Sequence, residues 1–497
     1  NYTYKIVKLK IYIYLTFHLL FLCSNRVSSQ TTIVKGSVSY VVDTLSLTSN
    51  NAQIEKLKYK NELLRYENYK KSYLPSISFA LSPIGFNRSL RLMQDPTTGS
   101  YTYVKDYSNS SSVGLTIHQK VPFTGGQLQV GSSLSYLNEF SYHRKSYSTS
   151  PYYISYSQNL WGGRKRYLLE KKIEESKNVI AINKFCSNIA QIQQNILSQY
   201  MDVLAAKMRL NLSNQTVLNN DTLLDIARLK LDNGRITEYD YKQIELQSLR
   251  SKLDSEDAIQ NYQQLYHRLL TSIGTTQEIA IVSPEFDLPL SIDSVAIWYY
   301  VRKNNSFYQQ LELEKLEAEQ NLFLAKLENR FNASISLGYG TNQYAEHLIE
   351  AYHHPNTRQS IQVGIQIPIF QWGINKNKVK IAENLFQSNL LERETRKRNF
   401  ENQIAERINA YRSAVKFWMT AKRSYELSQD QYKLALKKFS LGRISDYELY
   451  IAQNNQFTSL SQYASAIRQA YTNYYIIRGM TLYDFKKERD LIESLVK

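Results

Sequence analysis

Two short stretches with the same pattern of residues lie 208 positions apart, counted from Gly234 to Gly442. In each, a long helical pattern reaches the glycine, which can adopt the left-handed conformation that ends helices. Three residues later a Thr or Ser can cap a new helix, and six residues later an Asp or Glu can complete a capping box. The capping residues are Thr237 with Asp240 in the first stretch and Ser445 with Glu448 in the second. Each stretch predicts a tight helix-to-helix turn.

An ordinary helical hairpin would show the same local pattern, but the repeated interval favours two copies of one large unit. The first repeat is expected at residues 30–283 and the second at 291–485. Residues 284–290, which contain two prolines, form the predicted linker, and residues 486–497 form a C-terminal tail.

The first repeat begins with a helical pattern that ends near Pro75, where the period changes from helical to two. Four candidate strands follow within residues 76–160. Beyond them, an uninterrupted helical pattern spans 163–233, which corresponds to roughly 100 Å of helix. A return helix is expected at 237–274.

The second repeat has the same order of elements with fewer strands. After a helical segment, strands are expected within residues 332–370, a long helix at 374–441 and a return helix at 445–485. Apolar residues of the long helix recur in steps of three and four, which suits near-parallel packing against other helices. A helix of this length needs lateral partners.

The first 29 residues have the pattern of a signal peptide. A basic start is followed by the apolar run Ile11–Cys23 and by a small-residue cleavage site at Val27–Ser29. The apolar run is too short for a membrane helix, and no other stretch approaches one. Removal of this segment leaves Cys186 as the single cysteine, which excludes an internal disulfide.

The formal charge of the chain is +17, and four basic residues of the leader leave +13 for the remainder. The other basic residues are interspersed with glutamates along helical stretches and form no basic block. This pattern favours solvated helix faces, and no nucleic-acid partner is expected.

No pattern in the sequence indicates an enzyme. The histidines show no metal-binding spacing with Cys or Glu, and there is no P-loop or Gly-x-Ser-x-Gly motif. We therefore expect no catalytic residue, cofactor or metal.

The candidate strands alternate apolar with small or polar residues, as in outer-membrane strands, but six are too few to close a barrel. Several subunits would have to pool their strands. With the two-fold repeat, the strand exit Pro368-Ile-Phe-x-x-Gly373 and the Gly-x-x-Ser/Thr-x-x-Asp/Glu turns, the chain resembles the TolC family of outer-membrane efflux proteins.

The resemblance implies an α+β membrane protein of two structural repeats. Three copies would form one outer-membrane β-barrel, continued by a long periplasmic α-helical barrel. It implies an exit channel of a tripartite efflux or type I secretion system in a Gram-negative bacterium. The implied partners are outer-membrane lipid, a periplasmic adaptor protein, and an inner-membrane RND or ABC transporter. A passive porin-like barrel and a non-membrane coiled-coil scaffold are the alternatives.

The resemblance also places the two turns at the periplasmic tip, where the adaptor docks and the aperture opens. The docking residues would be Gly234, Arg235, Ile236, Thr237, Gly442, Arg443, Ile444 and Ser445. Asp240 and Glu448 would lie near the aperture, where Arg235 and Arg443 could pair with them; the alternative is that both acids serve only as helix caps. The strand-to-helix exits would be Gly162, Gly163, Pro368 and Gly373.

Two features of the first repeat depart from the family pattern. Asn159 replaces the proline of the strand exit. The first repeat has four candidate strands where the family supplies two. The additional strands, within residues 112–136, either cross the membrane, giving eighteen strands in a trimer, or extend an extracellular loop or the equatorial region.

Overall fold

The structure is a computed structural model that describes residues 34–94, 97–140 and 143–496. The expected signal peptide, residues 1–29, lies outside the described residues. No helix within the described ranges has both the length and the apolar character needed to cross a membrane.

Six strands form one antiparallel sheet in which each strand pairs with the strand before it in the order of the chain. These strands are β2 (Ser76–Gln94), β3 (Tyr101–Val121), β4 (Gly126–Glu139), β5 (Arg144–Asn159), β7 (Asn332–Ala345) and β8 (Asn356–Gln366). Two short strands, β1 (Val34–Gly36) and β6 (Ile279–Ile281), form a separate parallel pair. The expected first repeat thus contains four strands of the large sheet, and the expected second repeat contains two.

Two helices are far longer than the rest. They are α2 (Gly163–Asp232), with 70 residues, and α6 (Ile374–Ser440), with 67. Each is followed by a helix of 36 residues, α3 (Glu238–Ile273) or α7 (Asp446–Thr481). The shorter helices are α1 (Asn50–Lys71), α4 (Ser294–Asn304), α5 (Ser306–Glu328) and α8 (Leu491–Val496). Near the end of the chain, β9 (Tyr483–Asp484) pairs with β10 (Arg489–Asp490).

The chain divides into two compact units, and each takes segments from both halves of the sequence. The helical unit consists of the described residues up to Ala52, with Ile192–Leu288 and Ala414–Thr472. The sheet unit consists of Gln53–Gln191, Pro289–Ser413 and the chain from Asn473 onwards. The predicted repeats describe the order of elements along the chain, so their boundaries differ from those of the compact units.

The core of the helical unit is formed by aromatic and branched side chains of its helices. Tyr200 is fully buried, and its hydroxyl lies 2.9 Å from the carbonyl of Gly36 and 2.7 Å from that of Val282. These bonds fix β1 and the residue after β6 to α2. Trp418 is 1% exposed and packs against Phe286 with a ring distance of 4.6 Å.

The sheet unit contains a buried ion pair near the end of the chain. The Arg478 guanidinium lies 3.1 Å from the Asp484 carboxylate, and both side chains are at most 4% exposed. Tyr474 donates a hydrogen bond of 2.7 Å to the same carboxylate. The amide of Asn304 donates to the carbonyl of Thr481 at 3.0 Å, which joins α4 to the end of α7.

Two element boundaries differ by four residues from those expected, and several others differ by one. The strand expected to extend to residue 370 ends at Gln366, two residues before Pro368, which has no N–H to donate to a sheet. The return helix expected to reach residue 485 ends at Thr481, and the next residue, Leu482, has a φ of +49°. Asp484 is thereby placed in β9 and in the buried ion pair.

Candidate functional site

The two repeated turns end their long helices with the same hydrogen bonds. Gly234 has a φ of +63° and Gly442 a φ of +71°. The N–H of Gly234 donates to Leu231 at 2.8 Å and that of Arg235 to Lys230 at 2.8 Å. In the second turn the corresponding bonds are Gly442 to Phe439 at 2.9 Å and Arg443 to Lys438 at 2.9 Å. This is the Schellman motif, in which only glycine adopts the left-handed position without strain.

The helices that follow the turns start with matching capping boxes. The hydroxyl of Thr237 accepts from the N–H of Asp240 at 3.2 Å, and the Asp240 carboxylate accepts from the N–H of Thr237 at 3.1 Å. Ser445 and Glu448 exchange the same two bonds at 3.3 and 2.9 Å. Two otherwise unpaired N–H groups are therefore satisfied at each helix start.

The two capping acids are exposed and carry a shifted pKa. Hydrogen bonds from the hydroxyl and backbone of Thr237 lower the pKa of Asp240. Those from the backbone and hydroxyl of Ser445 lower the pKa of Glu448. Both groups are therefore ionised at neutral pH and carry negative charge near the positive end of a helix dipole.

Residues of both turns line one cleft of about 460 Å³ in the helical unit. Arg235, Ile236 and Asp240 come from the first turn, and Gly442 and Ile444 from the second. Glu448 is not among the lining residues. Arg235 and Arg443 are exposed, and within the described part of the chain neither forms a salt bridge. The structure thus brings the two turns together, while the acids bond within their own turns.

A hydrophobic cluster supports the turns. Its buried members are Leu223, Tyr432, Leu449 and Ala452, and Ile244, Ala435, Leu436, Phe439 and Ile444 pack against it. This cluster was not predicted from the sequence, although all its residues except Ile444 lie on the helices that lead into and out of the turns. The ammonium of Lys230 lies 5.5 Å from the Phe439 ring, which adds a cation–π contact beside the cleft.

The first strand-to-helix exit is a close approach of two backbones in the sheet unit. Gly162 has a φ of +76°, and Gly163 starts α2. A Cβ on Gly163 would lie 2.7 Å from the carbonyl oxygen of Thr124, in the turn between β3 and β4. At the second exit, Gly373 has a φ of +80° and its carbonyl accepts from Asn377 at 2.9 Å, while Pro368 follows β8.

In the described part of the chain, no group of three or more His, Cys, Asp and Glu is arranged to hold a metal ion. The polar groups at the turns are hydrogen-bonded to neighbouring backbone, an arrangement that orders helix ends.

Comparison with known proteins connects this geometry to a family. Residues 309–480 match the family model described as outer membrane efflux protein. No curated protein was found to match the sequence. The match covers β7, β8, α6, the second turn and nearly all of α7.

The fold is similar to that of several solved channels. The Campylobacter jejuni CmeC outer membrane channel has 15% identity and a TM-score of 0.62 over 92% of this chain and 88% of that one. The outer membrane protein VceC of Vibrio cholerae has 10% identity and a TM-score of 0.63, with 89% and 95% covered. The Neisseria gonorrhoeae MtrE outer membrane channel has 14% identity and a TM-score of 0.58, with 92% and 93% covered.

These similarities confirm the resemblance found in the sequence and the helix-rich fold with a sheet portion. A match to a family of efflux proteins also agrees with the expectations of transport rather than enzymatic function and of an outer-membrane location. Over residues 309–480 the chain is similar to outer membrane efflux proteins, and over most of its length it has the fold of solved outer membrane channels.

Proposed function

We propose that the protein is the outer-membrane exit channel of a tripartite efflux or type I secretion system. The observation that carries this proposal is the pair of matching turns, which line one cleft although they lie 208 residues apart in the sequence. Because both turns line this cleft, a movement of either turn changes the shape of the cleft at the proposed tip of the channel.

The proposed assembly is a homotrimer in outer-membrane lipid. Large apolar side chains of the sheet are exposed in the single chain: Ile77 and Ile361, for example, are 69% and 78% exposed. A lipid-facing barrel formed by three copies would cover this surface. In the same assembly the helices would form a periplasmic α-helical barrel built from two repeats per chain, 30–283 and 291–485.

At the proposed tip, an adaptor protein would dock on the turns and move them apart, and an RND or ABC transporter would supply the cargo. Residues Gly234 to Thr237 and Gly442 to Ser445 would make the docking contacts. Asp240 and Glu448 would surround the aperture as three-fold sets of negative charge, which favours cations in the lumen. Arg235 and Arg443, which are free of salt bridges among the described residues, would pair with these acids across subunits.

The decisive experiment replaces Gly442 by Leu and measures export in cells, with trimer assembly measured in the purified protein. Gly274→Leu is the matched control. Gly274 also has a positive φ, +78°, and no atom lies within 4 Å of the Cβ position at either glycine. Both variants therefore impose similar backbone strain, but only Gly442 lies in a repeated turn.

We expect Gly442→Leu to abolish export while trimers still form, and Gly274→Leu to retain most export. Equal export by the two variants would contradict the docking role of the turn. If the wild-type protein is isolated as a water-soluble monomer after removal of its leader, the channel proposal itself fails.

A further inference from the structure

The hairpin β3–β4 has no assigned position in the proposed channel. It is either a pair of additional membrane crossings or an extension outside the barrel. We propose that it crosses the membrane, so that three copies close a barrel of eighteen strands. This inference rests on the trimeric channel proposed above and specifies the size of its membrane pore.

The register of the sheet places the hairpin at the same level as the other strands. One row of paired residues runs through all six strands: Ser76, His118, Gln129, Ser155, Gly338 and Ser360. The row passes through the middle of β7 and β8 and begins at the end of β2 that follows α1. The β3–β4 turn lies at this end too, because Thr124 approaches Gly163 at the start of α2. A hairpin belonging to an outer loop or to the helical region would not occupy these rows.

The same rows give the sheet two different faces. Directly paired residues share a face, so an apolar row runs through Ile77, Ile117, Val130, Ile154 and Tyr339 on five consecutive strands. A second apolar row runs through Leu128, Tyr156, Leu337 and Ile361. Ser, Gly, Gln and His fill the row of the opposite face described above. The apolar face therefore extends across β3 and β4, as expected of a surface in lipid, although Leu115 pairs with Ser132 and Leu128 pairs with Gln119 on this face.

Runs without charged residues indicate which part of the hairpin lies in the membrane. Residues 108–119 of β3 and 126–138 of β4 contain no Asp, Glu, Lys or Arg, which makes uncharged runs of 12 and 13 residues. A tilted strand needs about 9–11 residues to cross a bilayer. The corresponding part of β2, residues 76–87, is also uncharged and is followed by Arg88. Each strand of the hairpin is thus long enough to span the hydrocarbon layer.

The two free edges of the sheet permit closure. They belong to β2 and β8, and because six strands alternate in direction, β8 runs antiparallel to β2. The β8 edge of one copy can therefore pair with the β2 edge of the next, which leaves no unpaired edge in lipid. Since barrel diameter grows roughly linearly with strand number, the pore would be about 1.5 times as wide as one with four strands per copy.

The test uses spin labels on four single-cysteine variants of the full protein in lipid vesicles, with Cys186 replaced by Ala. Leu115→Cys and Thr116→Cys report the two faces of β3. Their direct partners, Phe79→Cys and Ser78→Cys, report the same rows on β2. Accessibility to oxygen, which concentrates in lipid, is compared with accessibility to a water-soluble nickel complex.

We expect the oxygen-to-nickel ratio to be several-fold higher at position 115 than at 116, matching the difference between 79 and 78. If positions 115 and 116 are both accessible to nickel while 79 is protected by lipid, the hairpin lies outside the barrel and the eighteen-strand inference is wrong. If position 79 is also accessible to nickel, the membrane channel itself is refuted.

Discussion

Ser445 and Glu448 hold each other in place across the first turn of α7. The Ser445 hydroxyl accepts from the Glu448 N–H at 3.3 Å, and the Glu448 carboxylate accepts from the Ser445 N–H at 2.9 Å. Thr237 and Asp240 do the same at the start of α3. The residues proposed to form the aperture are thus already fixed by the backbone of one chain, and any pairing between subunits would act on an ordered turn.

The capping box should make the start of α7 sensitive to acid. Folding lowers the pKa of Glu448 below its unperturbed value of about 4.5. Its ionised carboxylate therefore stabilises the folded protein fully above about pH 4.5, and this stabilisation is lost as the pH falls through the lowered pKa. Ser445→Ala should speed amide exchange in this turn by roughly fivefold at pH 7, the usual effect of losing an N-cap.

Glu448→Gln should also speed exchange at pH 7, but by less, because an amide can still accept the capping bond. Its difference from wild type should shrink at pH 3. Glu406→Gln, an exposed change within α6, is the control and should have no effect on this turn. A difference at Glu448 that is the same at both pH values would show that ionisation of the carboxylate does not matter.

The close approach at the first exit predicts that Gly163→Ala is destabilising. The added Cβ would lie 2.7 Å from a backbone oxygen, so the β3–β4 turn must shift, at a cost of about 1–3 kcal/mol. Gly114→Ala is the control, since its Cβ would meet the nearest atom at an ordinary 3.5 Å. Samples of each protein are heated to a series of temperatures and run on gels without boiling, and the temperature at which the folded band is lost measures stability. Equal temperatures for the two variants would contradict the prediction.

Trp418 should stabilise the folded protein through the volume of its side chain and not through its N–H group. Its side chain is 1% exposed and packs against Phe286 and Tyr471, but no described residue accepts a hydrogen bond from its indole N–H. Trp418→Ala should lower the free energy of unfolding by about 3–5 kcal/mol. Trp418→Phe should cost much less, because no hydrogen bond is lost. Denaturant titrations followed by circular dichroism test this, and similar losses for both variants would refute it.

Removing one partner of the buried ion pair should be severe. Asp484→Ala leaves the Arg478 charge buried without its carboxylate, which typically costs about 3–5 kcal/mol. The double variant Arg478→Met with Asp484→Leu should recover much of this loss, because no charge remains buried.

The control for the ion pair is Glu426→Ala, which removes an exposed partner of Arg423 and should change stability by less than about 1 kcal/mol. The test compares the unfolding midpoints of the wild type, Asp484→Ala, the double variant and Glu426→Ala. If the double variant is no more stable than Asp484→Ala, the loss arises from packing or from the hydrogen bonds that Asp484 accepts, such as that from Tyr474, and not from the unpaired charge.

The amino-acid sequence alone determined the local features of this protein. Gly234, Gly442 and the capping boxes involve hydrogen bonds between residues at most five apart, so their geometry follows from neighbouring residues. The alternation that identified β8 and the period of three and four in α6 are equally local. These features sufficed to indicate the family and the two turns of the candidate site.

Only the tertiary structure decided which distant residues meet. It placed β3 and β4 in one sheet with the other strands, brought Thr124 against Gly163, and joined Asn304 to Thr481. No short-range pattern encodes such contacts, because a strand shows its two faces in sequence but not its neighbours. The register of a strand depends on the whole sheet, and the burial of a charge depends on the whole core. The three-dimensional structure is therefore needed to assign both.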